Sequence, residues 1–395
     1  MIEKHFIDLK NIRKNTQLMD YYFMGRYSFS PYFACEHACK YCDGRAERYY
    51  VEGNFEKDIV IRKNIPDLLK TKLPTYREQG TVLIGSGVSD PYQPVEKELE
   101  LMKQSLECLK DYSFPVSVMT KSTLALRDID LFDAINQKSG ALLMVSLVYP
   151  NDTYRQIFEP FTSSVPARLD MIRQFKERGI PVYVLAMPLL PGISDDKASV
   201  TDLMTQLKQL NVDAVMPGSL TLRPGKQKEV YFETIDKHYP ELLPLYQKIY
   251  SGNYPSGSPE RWYTGKVMPS VYNILKELQL PTFLPHRIYK GQYPKYDEVY
   301  FLLKHMKQLY KYAHVDITAL EYAERIYVKW YKEQRKTFNR KRSMTQEDFE
   351  ALLWSEINHP ASPILGFNKK LTDFIKEAVF GDQLFDYTKL KLASP

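Results

Sequence analysis

Short apolar, β-branched runs alternate with longer amphipathic segments through the first half of the chain, and this alternation limits the possible folds more than any other feature. The runs are Tyr27–Phe33, Thr81–Ser86, Pro115–Ser122, Ala141–Tyr149, Pro181–Pro188 and Asp213–Leu220, each the length of a buried strand. Between them Ile65–Glu78, Glu96–Leu109, Ile129–Gln137, Pro166–Arg178 and Ala198–Leu210 repeat apolar residues at helical spacing. A strand followed by a helix, over and over, calls for parallel strands with crossover helices packed outside. The expected class is therefore α/β, as a partial (β/α)6 version of the eight-unit TIM-like barrel. Reactive groups in such barrels gather at the C-terminal ends of the strands, which directs attention to the polar residues just after each apolar run.

After Leu222 the pattern changes. Pro224, Gly225, Gly252, Pro255, Gly257, Pro259 and Gly265 punctuate a tyrosine-rich stretch. From Tyr296 onward amphipathic segments return without strand runs, as in Val299–Tyr312 and Thr318–Phe338, and predict a helical C-terminal region. The expected organisation is an N-terminal extension (1–26), a partial barrel (27–222), a Pro/Gly/Tyr-rich connection (223–295) and a helical C-terminal domain (296–395). No internal repeat beyond the strand-helix alternation and no low-complexity segment is found.

A chain of 395 residues with 44% hydrophobic and 26% charged residues has enough apolar material for a large core and does not resemble a disordered or membrane protein. Its start mixes Glu3, Lys4, Asp8 and Lys10 with isolated apolar residues, unlike a secretion signal, and no stretch is long and uncharged enough to span a bilayer. A cytoplasmic location with no membrane partner is expected. The net charge of +6 permits a polyanionic partner without requiring one.

Of four cysteines, three fall in Cys35-Glu-His-Ala-Cys39-Lys-Tyr-Cys42, directly after the first predicted strand. This clustering reads as a metal site and not as a disulfide framework. Three thiolates can hold three irons of a 4Fe-4S cubane and leave the fourth iron open, whereas an electron-transfer ferredoxin supplies four cysteines. Cys108 falls on a predicted helix beside Leu101 and Leu109, where it reads as a small buried apolar residue. The rival for the triplet is zinc, with His37 completing a Cys3His set; that arrangement would make the chain a non-catalytic nucleic-acid-binding protein.

The C-x3-C-x2-C spacing with an aromatic before the last cysteine, at the mouth of an alternating strand-helix barrel, resembles the radical S-adenosylmethionine (SAM) superfamily. The resemblance implies a 4Fe-4S cluster on Cys35, Cys39 and Cys42, SAM chelated on the open iron, and an external one-electron reductant of flavodoxin or ferredoxin type. It also implies that SAM is cleaved reductively to a 5'-deoxyadenosyl radical, with Tyr41 near the adenine. Further residues resemble the spore photoproduct lyase-like group, whose members are also called DNA repair photolyases: Cys42-Asp43-Gly44-Arg45, Ser89-Asp90-Pro91-Tyr92-Gln93-Pro94, Thr120-Lys121-Ser122, Ser146, and Phe158-Glu159-Pro160 through Arg168. It covers roughly Tyr27 to Leu222. From it Ser89, Lys121 and Ser146 take the role of SAM ligands, and their places at or after successive strands let all three face one mouth. An ammonium and two hydroxyls suit a carboxylate. Asp90 either accepts from SAM or substrate or caps the helix after Pro94, and Glu159 with Arg168 reads as a rim ion pair.

One departure limits the substrate. The lyase carries a hydrogen-donor cysteine two residues before the SAM-binding serine, and here that position is Gly87, so Tyr92 or Tyr41 would have to replace it or the substrate differs. The resemblance favours DNA or RNA; a maturase acting on a protein or small molecule is the alternative. Lys329–Arg342 carries seven basic residues among Trp330, Tyr331 and Phe338, a pattern that fits phosphate contact with base stacking and equally a solvated helix face. Arg261-Trp262-Tyr263 and the segment His286–Lys290 add a second basic and aromatic region, in which His286 reads as structural.

Overall fold

The computed structural model describes residues 2–85 and 88–394. In chain order its strands are β1 (Glu3–Ile7), β2 (Arg13–Lys14), β3 (Tyr27–Phe29), β4 (Tyr32–Phe33), β5 (Asp58–Arg62), β6 (Val82–Ile84), β7 (Val116–Thr120), β8 (Ala141–Ser146), β9 (Val182–Leu189), β10 (Ala214–Ser219), β11 (Leu384–Asp386) and β12 (Lys391–Ala393). The chain divides into two compact units. Unit 1 comprises Met1–Ile12, Phe29–Thr71 and Ile84–Thr282; unit 2 comprises Arg13–Ser28, Lys72–Leu83 and Phe283–Pro395.

Unit 1 is an α/β structure around the parallel strands β7, β8, β9 and β10, which lie side by side in that order. All six residues of β8 are buried, as a continuous apolar run sandwiched on both faces requires. The helices between strands are α1 (Ile65–Lys72), α2 (Glu96–Leu99), α3 (Leu101–Asp111), α4 (Ile129–Lys138), α5 (Arg155–Phe158), α6 (Val165–Glu177) and α7 (Lys197–Gln209). Their ends follow local rules. Ser164 caps α6 by accepting from the Ala167 amide, with Pro166 in the first turn, and Asp196 caps α7 through the amides of Ala198 and Ser199. The sheet stays open among the described residues: β10 is an edge strand that pairs with β9 alone.

Two expected elements are broken, each for a local reason. The first predicted strand splits at Ser30-Pro31, where proline has no amide hydrogen to donate to a ladder, and β4 pairs antiparallel with β5 while β5 pairs parallel with β1. The helix predicted over Glu96–Leu109 breaks at Glu100, which is left-handed at φ 49°. The polar β1 and the segment 226–277 were not expected to be regular. That segment forms α8 (Lys226–His238), α9 (Leu243–Ile249) and α10 (Arg261–Glu277), much of its Pro/Gly punctuation falling in the connections.

Unit 2 is mainly helical, with α11 (His286–Tyr289), α12 (Lys295–Tyr312), α13 (Thr318–Arg340), α14 (Gln346–Asn358) and α15 (Lys369–Ile375). It also holds the β11–β12 hairpin and the antiparallel pair β2–β3. The Arg77 guanidinium closes the C-terminal end of α13 by donating to the carbonyls of Phe338, Lys341, Arg342 and Met344, the end where a cation complements the helix dipole. Of the aromatic residues considered for base stacking in 329–342, Tyr331 and Phe338 belong to the core and Trp330 is half-buried. The stripe on the other face, Lys329, Lys332, Lys336 and Arg340, is exposed. His286 is buried and structural: Nε2 meets Glu298 at 2.9 Å and Nδ1 accepts the Phe385 amide at 3.0 Å. No described helix is long and apolar enough to cross a membrane.

Candidate active site

Between β4 and β5 the chain makes a loop that carries all three clustered cysteines. Cys35 and Cys39 are buried and Cys42 is half-buried. The loop rests on an apolar bed of Tyr32, Phe55, Ile59, Ile61, Val95 and Leu101. Ala34 and Ala38 adopt left-handed backbone, at φ 65° and 54°, an uncommon state for alanine that turns the loop sharply. Gly44 follows because a Cβ there would lie 2.8 Å from the Phe55 ring and 3.1 Å from the Val88 backbone.

Polar side chains from distant positions hold the loop's buried carbonyls, which would otherwise be unpaired. Arg45 donates to the carbonyls of Cys39 (2.9 Å) and Ala38 (3.1 Å) and pairs with Glu56. Gln93 donates to the Ala34 carbonyl at 3.2 Å and accepts the Glu36 amide at 2.8 Å. Gln227, from α8, donates to the Tyr41 carbonyl at 3.0 Å, and Arg223 meets Asp43 at 2.7 Å. Arg45 and Gln93 lay within the motifs already singled out; Gln227 and Arg223 carried no local signal.

Beside the loop lies a buried charged cluster at the ends of β7 and β8. Lys121, just past β7, donates to the Ser146 hydroxyl at the end of β8 and stands 3.9 Å from Glu159. Its ammonium is also 5.7 Å from the Tyr41 ring centroid, within cation–π range. Glu159 accepts the Tyr41 hydroxyl and pairs with Arg168 at 2.6 Å, both fully buried. Arg168 also donates to the Ser146 carbonyl at 2.8 Å. The expected rim ion pair is therefore an interior pair, because α5 and α6 fold Glu159 and Arg168 inward. Burial raises the Glu159 carboxyl, but Arg168 and Lys121 outweigh it and keep Glu159 below the usual carboxylate range. Burial and the same carboxylate push the Tyr41 phenol well up.

Asp90 neither caps α2 nor is left free. Its carboxylate accepts from the Thr120 hydroxyl and the Lys121 amide, each at 2.7 Å, and from the Tyr92 amide at 2.9 Å. Asp90 thereby fixes the backbone at the end of β7 from which Lys121 projects. His37 faces the same carboxylate at 3.4 Å. Burial disfavours the charged imidazole, but Asp90 and the Cys35 sulfur outweigh it and raise His37 to about 10. Ser89 stands apart from the Lys121–Ser146 pair in its hydrogen bonding: its hydroxyl donates to the Tyr32 carbonyl at 2.6 Å and meets Ser30 at 2.9 Å. Tyr92 is buried and donates to Asp128 at 3.0 Å. Gly87 lies outside the described residues. Cys108 is buried on α3, with its sulfur 3.6 Å from the Pro66 carbonyl.

Residues 29–204 match the radical SAM superfamily. The chain carries a radical SAM domain. It is accordingly an enzyme. The domain spans the cysteine loop, Lys121, Ser146, Glu159 and Arg168. An uncharacterized protein of Mycobacterium tuberculosis is 28% identical over 270 residues, 67% of this chain and 75% of its own length. One of Methanocaldococcus jannaschii is 34% identical over 173 residues, 43% of this chain and 62% of its own. Among solved structures, spore photoproduct lyase complexed with dinucleoside spore photoproduct has the same fold, with a TM-score of 0.50 at 15% identity over 70% of this chain and 79% of the lyase chain.

The donor set fits the iron-sulfur cluster and the SAM that enzymes of this superfamily use. No disulfide ties any of the cysteines, so all three thiols of the loop are available as ligands. Among the described residues, the group of three His, Cys, Asp or Glu side chains whose ligand atoms all lie within 4.8 Å of one another is Glu3, His5 and Asp58, the first two exposed and Asp58 half-buried. The three cysteine sulfurs are thus spread more widely than a single tetrahedral zinc would hold them, whose sulfur–sulfur edge is about 3.8 Å at a Zn–S distance of about 2.3 Å.

Proposed function

We propose that this radical SAM enzyme holds a 4Fe-4S cluster on Cys35, Cys39 and Cys42, cleaves SAM reductively, and acts on a nucleic acid as a spore photoproduct lyase-like enzyme of DNA repair. When bound, the cluster supplies the electron that splits the sulfonium of SAM and so gives a 5'-deoxyadenosyl radical. The observation that carries this reading is the pairing of Lys121 with Ser146 beside the cysteine loop, both inside the matched domain.

Lys121 and Ser146 present an ammonium and a hydroxyl, the donors that a SAM carboxylate needs. Ser89 serves as the third polar contact on giving up its bond to the Tyr32 carbonyl. Tyr41 offers its ring to the adenine, with its hydroxyl anchored on Glu159. Arg168 holds Glu159, and Asp90 holds the backbone of Lys121; these three are positioning residues. Their burial keeps water from the reacting groups, which lengthens the life of any radical formed there.

The nucleic-acid assignment is supported by the fold shared with a lyase whose structure holds a dinucleoside photoproduct. The exposed cations Lys329, Lys332, Lys336 and Arg340 also suit phosphate contacts. Gly87 in place of the hydrogen-donor cysteine argues for a lesion or nucleotide other than the spore photoproduct. The reductant is an external one-electron carrier of flavodoxin or ferredoxin type.

The test is anaerobic reconstitution with iron and sulfide, reduction by dithionite with SAM, and chromatography. The expected result is 5'-deoxyadenosine that disappears in Cys39→Ala. A colourless protein that binds zinc and leaves SAM intact would overturn the reading.

A further inference from the structure

The exposed face of α13 carries five cations, Arg325, Lys329, Lys332, Lys336 and Arg340, and Lys341 and Arg342 follow at its end. Steps of three and four residues keep the five on one side of the helix, in a row about 22 Å long at a rise of about 1.5 Å per residue. Glu333 is the one exposed carboxylate from Arg325 to Arg342. Seven cations against one carboxylate leave a surplus of six, and the net charge of the whole chain is +6. All the other residues together therefore sum to zero. The entire net charge of the protein lies on this one stretch.

Nothing on α13 neutralises the row. The helix forms its ion pairs through Glu324, with Lys304 and Lys307, and through Arg335, with Glu78; among the described residues none takes up any of the seven. On α6, by contrast, Arg173 is held between Asp170 and Glu177, each at 2.6 Å. Like charges four residues apart weaken a helix, so the row costs the fold something and fits an extended anion. A membrane surface is the poorer match, because a helix lying on lipid sinks an apolar face into it. That face of α13, with Leu320, Ala323, Tyr327, Tyr331 and Phe338, is spent on the core. A single strand is poorer too, since proteins hold one by stacking its bases on exposed rings. The row has no exposed ring: Tyr331 and Phe338 are buried and Trp330 is half-buried. A duplex presents a stiff line of phosphates, one charge per about 1.7 Å of its axis.

We propose that the exposed face of α13 is a phosphate rail, by which unit 2 binds duplex DNA along its backbone without reading its sequence. This rests on the reading of the chain as a nucleic-acid enzyme and deepens it. The substrate is a DNA polymer held at about five to seven phosphates, one per cation, beyond the nucleotide on which the radical acts. Lysine is a point charge that suits a phosphate, whereas base edges are read by bidentate side chains. The rail lies in unit 2, and the cysteine loop, Lys121 and Ser146 lie in unit 1. DNA binding and SAM cleavage are therefore separable by substitution.

The test is fluorescence anisotropy of a labelled duplex of about 20 base pairs with the reconstituted full chain, in salt from about 50 to 200 mM. The unaltered protein should bind with a log–log salt slope of about −4.5 to −6.3, at about −0.9 per phosphate contacted, and equally well on a scrambled sequence. Lys329→Gln, Lys332→Gln and Lys336→Gln together keep a good helix former at each position. They should flatten the slope by about 2.7 and weaken binding in 0.1 M salt on the order of 100-fold or more; Arg at the same three positions should leave both unchanged. Lys341→Gln with Arg342→Gln, past the end of the helix, should flatten the slope by about 1.8. Iron content and the 5'-deoxyadenosine formed with dithionite should hold in every variant. A slope unmoved in both Gln variants overturns the rail and leaves nucleic acid as the substrate. Equal affinity for a single strand of the same length overturns the duplex. A protein that cleaves SAM but binds no DNA would instead overturn the nucleic-acid reading itself.

Discussion

Both units bury charge, but they leave it in different conditions. In unit 2, Arg26 meets Asp297 at 2.6 Å with both side chains fully buried, and the same carboxylate accepts the Tyr331 hydroxyl. Glu78 meets Arg335, Lys14 at 2.9 Å and the Tyr296 hydroxyl at 3.1 Å. Each carboxylate there is matched by cations and phenols of the chain itself. In unit 1 the Lys121–Glu159–Arg168 cluster is also paired, yet beside it stand three untied thiols and the orphaned Tyr149 hydroxyl. Arg26 Nε and Arg335 Nε are left over in unit 2, but their guanidinium charges are paired; a cluster that leaves sulfurs and a whole hydroxyl uncommitted is prepared for something else.

The largest effect should come from breaking the charge-paired network of unit 2. Arg26→Met leaves Asp297 buried without its cation, and such a loss costs about 3–5 kcal/mol. Denaturant unfolding of unit 2 should register that drop. An unchanged midpoint would mean that Tyr331 alone satisfies Asp297 and that the two networks differ less than proposed.

The next effect separates binding from folding. Lys121→Ala removes a charged donor worth about 1.5–3 kcal/mol, so SAM affinity should fall roughly 10- to 150-fold while iron content holds. Equilibrium binding to the reconstituted protein measures it, and retained affinity would remove Lys121 from the SAM site.

The smallest and most gradual effect is the pH response of unit 2. Arg26 and Arg335 overcome the burial of Glu78 and hold it at about 2. Its stabilisation is therefore complete above the ordinary carboxylate value of about 4.5 and drains as pH falls toward 2. Burial depresses His305 to about 4, so protonation favours the unfolded chain from about 6.5 downward and ceases to add below about 4. Stability of unit 2 should thus decline in two overlapping stages as acid is added. Glu78→Gln should flatten the lower stage in a pH series of unfolding curves and leave the upper one; a lower stage that persists in the variant would assign it to other carboxylates.

What could be read in the chain followed from periodicity and spacing. The runs at Pro115–Ser122, Ala141–Tyr149, Pro181–Pro188 and Asp213–Leu220 begin within a residue of β7 to β10, and of the three residues taken from the family resemblance, Lys121 and Ser146 meet while Ser89 bonds elsewhere. What escaped notice depends on long-range packing. Gln227 reaches the Tyr41 carbonyl across 186 positions, and the segments Arg13–Ser28 and Lys72–Leu83 join the C-terminal helices as one unit with nothing local to announce it. Asp90 was read as a cap or a ligand because the donors that its carboxylate accepts from, the Thr120 hydroxyl and the Lys121 amide, lie about 30 positions away at the end of β7. The aromatics of α13 looked available for stacking until the buried face of the helix was known.

The contrast between a charge-paired and an uncommitted buried cluster is tested most directly by iron and acid-labile sulfide analysis of the anaerobically reconstituted protein, with its EPR spectrum after reduction. About four irons and four sulfides per chain are expected, with a reduced-cluster signal that changes on adding SAM and vanishes in Cys39→Ala. A single zinc per chain, with no iron taken up and no response to SAM, would contradict it.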